Sequence, residues 1–275
     1  MQFSTLPIRA DIAPFVSAVW HCVDLSGALV GEALRVTPHT GTVLCVHLGE
    51  PVETEFEDRR PLASLNGIQD RIRLFRPAGA TRTLLILLTP RGAASLFPSI
   101  GTEIAGNGID LGGLLGDGEI ERLRRHAAAA PDEVALGEAV FAWLRRRLER
   151  MPTLRAIDGL ALAAERLTLD GASVADAARS VDLSVRQLER VFAEHLGLSP
   201  KRFQRVHRLQ RSLYAVLSGE GDPIDGYADQ AHQIRNWRSY LGLTPGEVGR
   251  RGVSSAGAQF LDSGLPSSVA VAHYL

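Results

Sequence analysis

The sequence predicts an α+β protein: a small antiparallel β sandwich or barrel at the N-terminus, a helical connector, and an all-α C-terminal domain of two helix-turn-helix units. Three observations predict it. Within the first 90 residues, short runs at 15–23, 42–48, 71–75 and 83–88 are separated by turn formers such as Gly41-Thr42, Gly49-Glu50-Pro51 and Pro77-Ala78-Gly79, the pattern of several short strands. From residue 118 to 150 the apolar spacing changes to three and four residues, the period of amphipathic helices. Finally, RVFAEHLGLSPKRF at 190–203 returns as RNWRSYLGLTPGEV at 235–248, an offset of 45 residues that marks a duplicated unit. A chain of 275 residues accommodates two domains.

In the strand-rich part, His21, Cys22, His39, Cys45, His47 and Glu50 are the residues with ligand chemistry. Cys45 and His47 alternate onto one face of a strand whose other face carries Leu44, Val46 and Leu48. The spacing lacks a close His-x-His pair, so packing or surface roles are expected, with no metal and no cofactor. Cys22 reads as a small buried thiol rather than a nucleophile. The chain has no Walker-type Gly-Lys-Ser/Thr, no Gly-rich dinucleotide turn and no Gly-x-Ser-x-Gly elbow, and no enzymatic activity is expected. Two cysteines imply no disulfide framework. With neither a signal peptide nor a membrane-spanning apolar run, a cytoplasmic protein that does not engage membranes is expected.

The connector comprises a helix at 118–130 with Ile120, Leu123 and Ala127 on one face, and a second starting at Pro131 with Val134, Val140, Phe141, Leu144 and Leu148 recurring. Arg145, Arg146 and Arg147 beside that stripe read as solvated surface. Such a helix pair suits a homodimer contact. The expected divisions are 1–115 for the β-rich domain, 116–151 for the connector, 154–250 for the duplicated unit and 252–275 for a Gly- and Ser-rich flexible tail. The boundary before the duplicated unit falls at Met151-Pro152-Thr153.

The C-terminal domain opens with a helix over 154–169 that turns Ile157, Leu160, Ala161, Ala164 and Leu167 inward. Ser173 can cap a short helix containing Ala177 and Ala178, Val181-Asp182-Leu183 makes a tight turn, and Ser184 caps the next helix. There Leu188, Val191 and Phe192 share one face, leaving Arg186, Gln187, Glu189 and Arg190 on others. Gly197 suits the left-handed residue that ends a helix. Ser199-Pro200 then starts a long amphipathic helix over 200–217, with proline at the first helical position.

The second copy repeats these signals with Asp229 as N-cap, Gly242 as terminator, and Thr244 and Glu247 at capping-box spacing. It departs in two places. Only GEGDPID at 219–225 stands where a bracing helix is expected, too short and too rich in Gly and Pro to form one. Gln233 also occupies the position of apolar Leu188, and a buried polar group there needs a partner.

Charge is concentrated on the first copy. Residues 186–211 carry seven Lys or Arg against two Glu, a net of +5 on a chain whose total is −1. Phosphate neutralisation by Lys and Arg drives non-specific DNA affinity, and Arg can bond guanine in the major groove.

With LSVRQLERVFAEHLGLSP and GYADQAHQIRNWRSYLGLTP in view, residues 154–250 resemble the DNA-binding region of AraC/XylS-type transcriptional regulators. Gly226, Tyr227, Asp229, Gln230, His232, Arg235 and the Gly-Leu-Thr-Pro ending carry the more specific part of the likeness. The resemblance implies double-stranded DNA as partner. It places Ser184, Arg186, Gln187, Glu189 and Arg190 of the first recognition helix, and Gln230, His232 and Arg235 of the second, at bases or phosphates. His232 has an equal reading as a helix-stabilising hydrogen bonder. The opening LPIRADIAPFVSAVWHC and the strands after it look like a divergent cupin-like sensor domain, which implies control by a small-molecule effector of unknown identity. Two functions are carried forward: a sequence-specific regulator in which the first recognition helix dominates, and a regulator-derived interaction protein whose abbreviated second unit weakens DNA binding.

Overall fold

The computed structural model describes residues 2–32, 34–54, 61–151 and 155–252. Pro152, Thr153 and Leu154, and all but the first residue of the tail expected at 252–275, lie outside the described residues.

The N-terminal domain contains β1 (Gln2–Thr5), β2 (Val16–Asp24), β3 (Leu34–Val36), β4 (Thr42–His47), β5 (Val52–Thr54), β6 (Ala63–Asn66), β7 (Arg73–Pro77), β8 (Thr81–Leu88) and β9 (Gly108–Asp110). They form one antiparallel sheet in the order β1-β2-β8-β4-β6-β9 and a smaller one in the order β3-β7-β5. Strand alternation assigns each face of the larger sheet. Leu44 and Val46 of β4 and Leu84, Ile86 and Leu88 of β8 enter the main core. Their neighbours Cys45, His47, Thr83 and Leu85 line a cavity enclosed together with Leu34, Val36 and Phe75 of the smaller sheet. Cys45 and His47 are therefore interior residues, because the second sheet covers the face that alternation alone would leave to solvent.

Residues 90–115, expected as part of a β-rich domain, are instead largely helical apart from β9. They hold α1 (Pro90–Leu96), α2 (Gly101–Ile104) and α3 (Leu111–Leu115). These helices are too short for periodicity to announce. α1 nevertheless has local chemistry: Thr89 accepts from the Gly92 amide at 3.0 Å and Pro90 occupies the first turn.

The connector comprises α4 (Asp117–Ala128) and α5 (Glu133–Glu149). The buried face of α5 consists of Leu136, Gly137, Val140, Phe141, Trp143 and Leu144. Val134, expected on that face, is 70% exposed. The arginine run also differs from expectation. Arg145 donates to Asp11 at 2.5 Å, and Arg147 donates to the Leu96 carbonyl at 3.1 Å while its guanidinium lies 5.0 Å from the Phe97 ring centroid. Arg146 alone of the three is exposed.

The C-terminal domain consists of α6 (Arg155–Thr168), α7 (Val174–Arg179), α8 (Val185–Leu196), α9 (Pro200–Ser218), α10 (Gln230–Leu241) and α11 (Pro245–Arg251). On α6, Ala163 is buried where Ala161 was expected inward, and Ala161 is half-buried. A single apolar core runs from the larger sheet through α1, α5, α6, α7 and α8 to Phe203 at the start of α9. A separate small core of Leu209, Leu213, Trp237, Leu241 and Val248 joins the end of α9 to α10 and α11.

Candidate nucleic-acid interface

The first helix-turn-helix is α7, the turn at 180–184, and α8. Ser173 caps α7 by accepting from the Asp176 amide at 3.1 Å. Asp182 adopts φ 54°, the left-handed conformation that Asp tolerates better than most residues. Ser184 and Gln187 form a reciprocal capping box: the Ser184 amide and hydroxyl both donate to Gln187 Oε1 at 2.8 Å, and Ser184 Oγ accepts from the Gln187 amide at 3.3 Å. These two side chains, expected among the DNA-facing residues, bond each other and remain exposed.

Behind the capping box, Leu188 and Phe192 are buried, and Phe192 meets Phe203 edge-on at 5.6 Å between centroids. Arg186, Glu189 and Arg190 project into solvent from the leading half of α8. Its trailing end is held by the N-terminal domain. A Cβ on Gly101 of α2 would lie 2.5 Å from both the Ala193 carbonyl oxygen and the Gly197 amide, a backbone approach open only to glycine. Around it, the Ser99 amide donates to His195 Nδ1 at 3.3 Å and the Ser99 hydroxyl to Glu194 at 2.7 Å. Burial lowers the His195 pKa and keeps the imidazole neutral, as this acceptor role requires.

The basic residues divide into two groups. Arg202 pairs with Asp70, Arg211 pairs with Asp225, and Arg208 donates to the Gly226 carbonyl at 2.8 Å with its guanidinium 5.0 Å from the Tyr227 ring centroid. Arg186, Arg190, Lys201 and Arg205 are exposed. Arg202 and Arg211 are exposed as well, so their paired charge also lies at the surface.

The second unit has no helix between α9 and α10; residues 219–229 form turns and irregular chain. Asp229 caps α10 by accepting from the His232 amide at 2.6 Å. The His232 ring accepts from the Ala228 amide at 3.4 Å and packs edge-on against Tyr227, so this expected DNA contact is engaged in holding the turn. Gln230 and Arg235 are exposed. Gln233 is buried and satisfied: its amide donates to Ser212 Oγ at 3.1 Å and to the Pro223 carbonyl at 2.6 Å. Trp237 Nε1 donates to the same hydroxyl at 3.0 Å, and that hydroxyl donates to Pro223. The polar cluster pins the turn at Pro223 to α9 and α10 in place of a bracing helix.

Among the described residues, no group of three His, Cys, Asp or Glu is arranged to hold a metal ion. Burial pushes the Cys45 thiol up to about 12 and raises that of Cys22, which suppresses the nucleophilic thiolate. No helix among the described residues is long and apolar enough to cross a membrane.

Residues 177–251 match the family described as a helix-turn-helix domain. Comparison with curated proteins gives no match. Among solved structures, the chain is similar to ToxT from Vibrio cholerae O395, at 12% identity over 79% of this chain and 92% of that one, with a TM-score of 0.42. It is also similar to ToxT from Vibrio cholerae strain SCE256 with unsaturated fatty acid bound, at 10% identity over 79% and 89%, with a TM-score of 0.40. The AraC-like transcriptional activator CuxR shares 13% identity over 71% and 73%, with a TM-score of 0.26. The paired units and the match to their sequence define a helix-turn-helix DNA-binding protein. Within that class, residues 177–251 form a domain of the AraC type.

Sequence reasoning missed the residues that dock the two domains: Gly101, Ser99, Asp70 and the Thr40–Gln210 pair. Each acts on a residue roughly 90 or more positions away in the chain, and no local pattern signals such a partner.

Proposed function

We propose that this chain is a transcription regulator that reads DNA chiefly with the leading half of α8, that α10 makes a weaker second contact, and that a small molecule in the N-terminal domain controls the arrangement. The observation that carries this reading is the division of α8: Arg186, Glu189 and Arg190 are presented to solvent, whereas Ala193, Glu194 and Gly197 at the other end abut α2. A recognition helix enters the major groove by its N-terminal residues, so the gripped end is the one that DNA binding leaves free for control. On α10, Gln230 and Arg235 are available for contact while His232 serves the turn. The bracing of α10 by Ser212 and Gln233 speaks against a second unit too damaged to contribute.

The test is a footprint on genomic DNA with and without metabolite extract, followed by operator titration of Arg190→Ala and Arg235→Ala at fixed salt. Arg190→Ala is expected to cost about 1–3 kcal/mol and to relax specificity at one position. Arg235→Ala is expected to cost less. A larger loss for Arg235→Ala refutes the asymmetry, and the absence of any protected site refutes the function.

A further inference from the structure

The connector helices α4 and α5 pack against each other and leave a groove of about 350 Å³, within the range of about 300–1,000 Å³ typical of small-molecule sites. Its charge is one-sided. Arg122 of α4 and Arg146, Arg147 and Arg150 of α5 line it, and Glu119 is the one carboxylate that does so among the described residues. His126 is also on the wall; its Nδ1 bonds the Arg122 carbonyl at 2.7 Å, which leaves Nε2 for another partner. Ala139 and Ala142, whose side chains end at Cβ, leave room beside α5.

Three of the four guanidiniums are uncommitted. Arg122, Arg146 and Arg150 are exposed and make no ion pair among the described residues. Glu119 is already engaged, accepting from Trp143 Nε1 at 3.0 Å. Arg147 is half-buried. Burial lowers its pKa, Glu119 opposes that shift and Arg150 adds to it, so a guanidinium that stays charged is held beside a like charge. Four guanidiniums face one carboxylate, an excess that an anion from outside would balance. The planar guanidinium fork matches the paired oxygens of carboxylate and phosphate.

Arg147 also connects the groove to the first recognition helix. Its Nε donates to the Leu96 carbonyl at 3.1 Å, and its guanidinium lies 5.0 Å from the Phe97 ring centroid. Two residues past Phe97, Ser99 bonds Glu194 and His195 of α8, and Gly101 abuts the α8 backbone. An anion that draws Arg147 toward the groove therefore pulls on the segment that grips α8.

We propose that the α4–α5 groove binds a small molecule bearing two or more carboxylate or phosphate groups, and that Arg147 passes its occupancy to α8 through Phe97 and Ser99. This input is separate from any ligand in the N-terminal domain, and it rests on the reading of the chain as a DNA-binding regulator. Calorimetry on the full chain at pH 7 and matched ionic strength, with citrate, pyrophosphate and acetate as probes, tests the site. Citrate or pyrophosphate is expected to bind at least about tenfold tighter than acetate, because a second anionic group adds a charge-assisted hydrogen bond. The two probes separate a carboxylate from a phosphate source. Combining Arg146→Ala with Arg150→Ala, both at exposed positions, lowers that affinity at least about tenfold. No binding of either probe, no advantage over acetate, or an unchanged affinity in the double variant overturns the site.

Operator titration tests the coupling. Saturation with the tighter probe is expected to change wild-type operator affinity by about fivefold or more, and the change is lost in the double variant. Phe97→Leu, outside the groove, keeps probe binding and also loses the change; the wild-type titration stands alone if this variant does not fold. A bound probe that leaves operator affinity unchanged, or a full change in Phe97→Leu, overturns the route through Arg147. Weaker operator binding by the double variant without any probe assigns these arginines to DNA phosphates and overturns the proposal. Operator binding that is absent altogether refutes instead the DNA-reading function, whatever the calorimetry shows.

Discussion

Ser212 is the hub of the second unit, and its removal provides a sharp test of how α10 stands without a bracing helix. In Ser212→Ala the Trp237 indole N–H, in a fully buried side chain, loses its 3.0 Å acceptor, and Gln233 loses one of two acceptors while keeping the Pro223 carbonyl at 2.6 Å. An unsatisfied buried donor costs about 1–3 kcal/mol and a lost neutral bond about 1 kcal/mol, so the expected destabilisation is about 2–4 kcal/mol. Gln233→Leu is the control. It restores the apolar residue of the first unit and removes two donors, but leaves Ser212 between Trp237 and Pro223. Apolar burial offsets part of the lost bonding, and the expected cost is about 0–1.5 kcal/mol. Urea unfolding gives the global values. Native-state hydrogen exchange on α10 amides supplies the local one, because the small core of Trp237, Leu241 and Val248 can open separately from the main core. If Gln233→Leu costs as much as Ser212→Ala or more, the hydroxyl is not the hub.

Two further outcomes follow from the structure. Gly197 and Gly242 both end helices with positive φ, 76° and 69°, but a Cβ on Gly197 would lie 2.3 Å from the Gly101 carbonyl oxygen whereas one on Gly242 meets nothing within 4 Å. Gly242→Ala is expected to cost about 1 kcal/mol from backbone strain alone and Gly197→Ala at least twice that in thermal denaturation; equal costs would refute the tight approach of α2 to α8. Stability should also fall with acidification. Burial pushes His39, His47 and His207 down to about 4, so the folded chain stays unprotonated while the unfolded chain takes up protons below its ordinary value of 6.5. Each residue's share is intact above pH 6.5 and is lost as pH falls toward 4, by about 2 kcal/mol per residue between pH 7 and 5. A urea midpoint unchanged from pH 7 to 5 would refute it.

The helix ends of the C-terminal domain were legible because the interactions that make them are local. Ser173, Ser199 and Thr244 each accept from an amide three residues on, and Gly197 and Gly242 adopt the left-handed backbone their positions require. The apolar stripes of α6, α8 and α9 were legible for the same reason, since period and burial agree along one helix. In the N-terminal domain the long strands β2, β4 and β8 could be read. The three-residue strands β3 and β5 and the short helices α1 to α3 could not, because a few residues carry too little periodicity to separate them from loop.

Site residues were legible as a segment and less so one by one. Ser184 and Gln187 bond each other and His232 bonds the turn before α10, contacts that the resemblance does not announce, while Ser184 and Gln187 stay exposed. The resemblance identified the unit; the partners of each side chain come from the tertiary structure.

By itself, the sequence determined the duplication, the capped helix ends of the C-terminal domain and the missing helix before α10, all of which rest on spacings of a few residues. Tertiary structure alone decided that Cys45 and His47 line a cavity between the two sheets, that Gln233 finds its partners in Ser212 and Pro223, and that α8 is gripped at one end through Gly101. Those outcomes depend on surfaces brought together from distant parts of the chain. Burial and hydrogen-bond satisfaction are properties of such assembled surfaces, not of any segment alone.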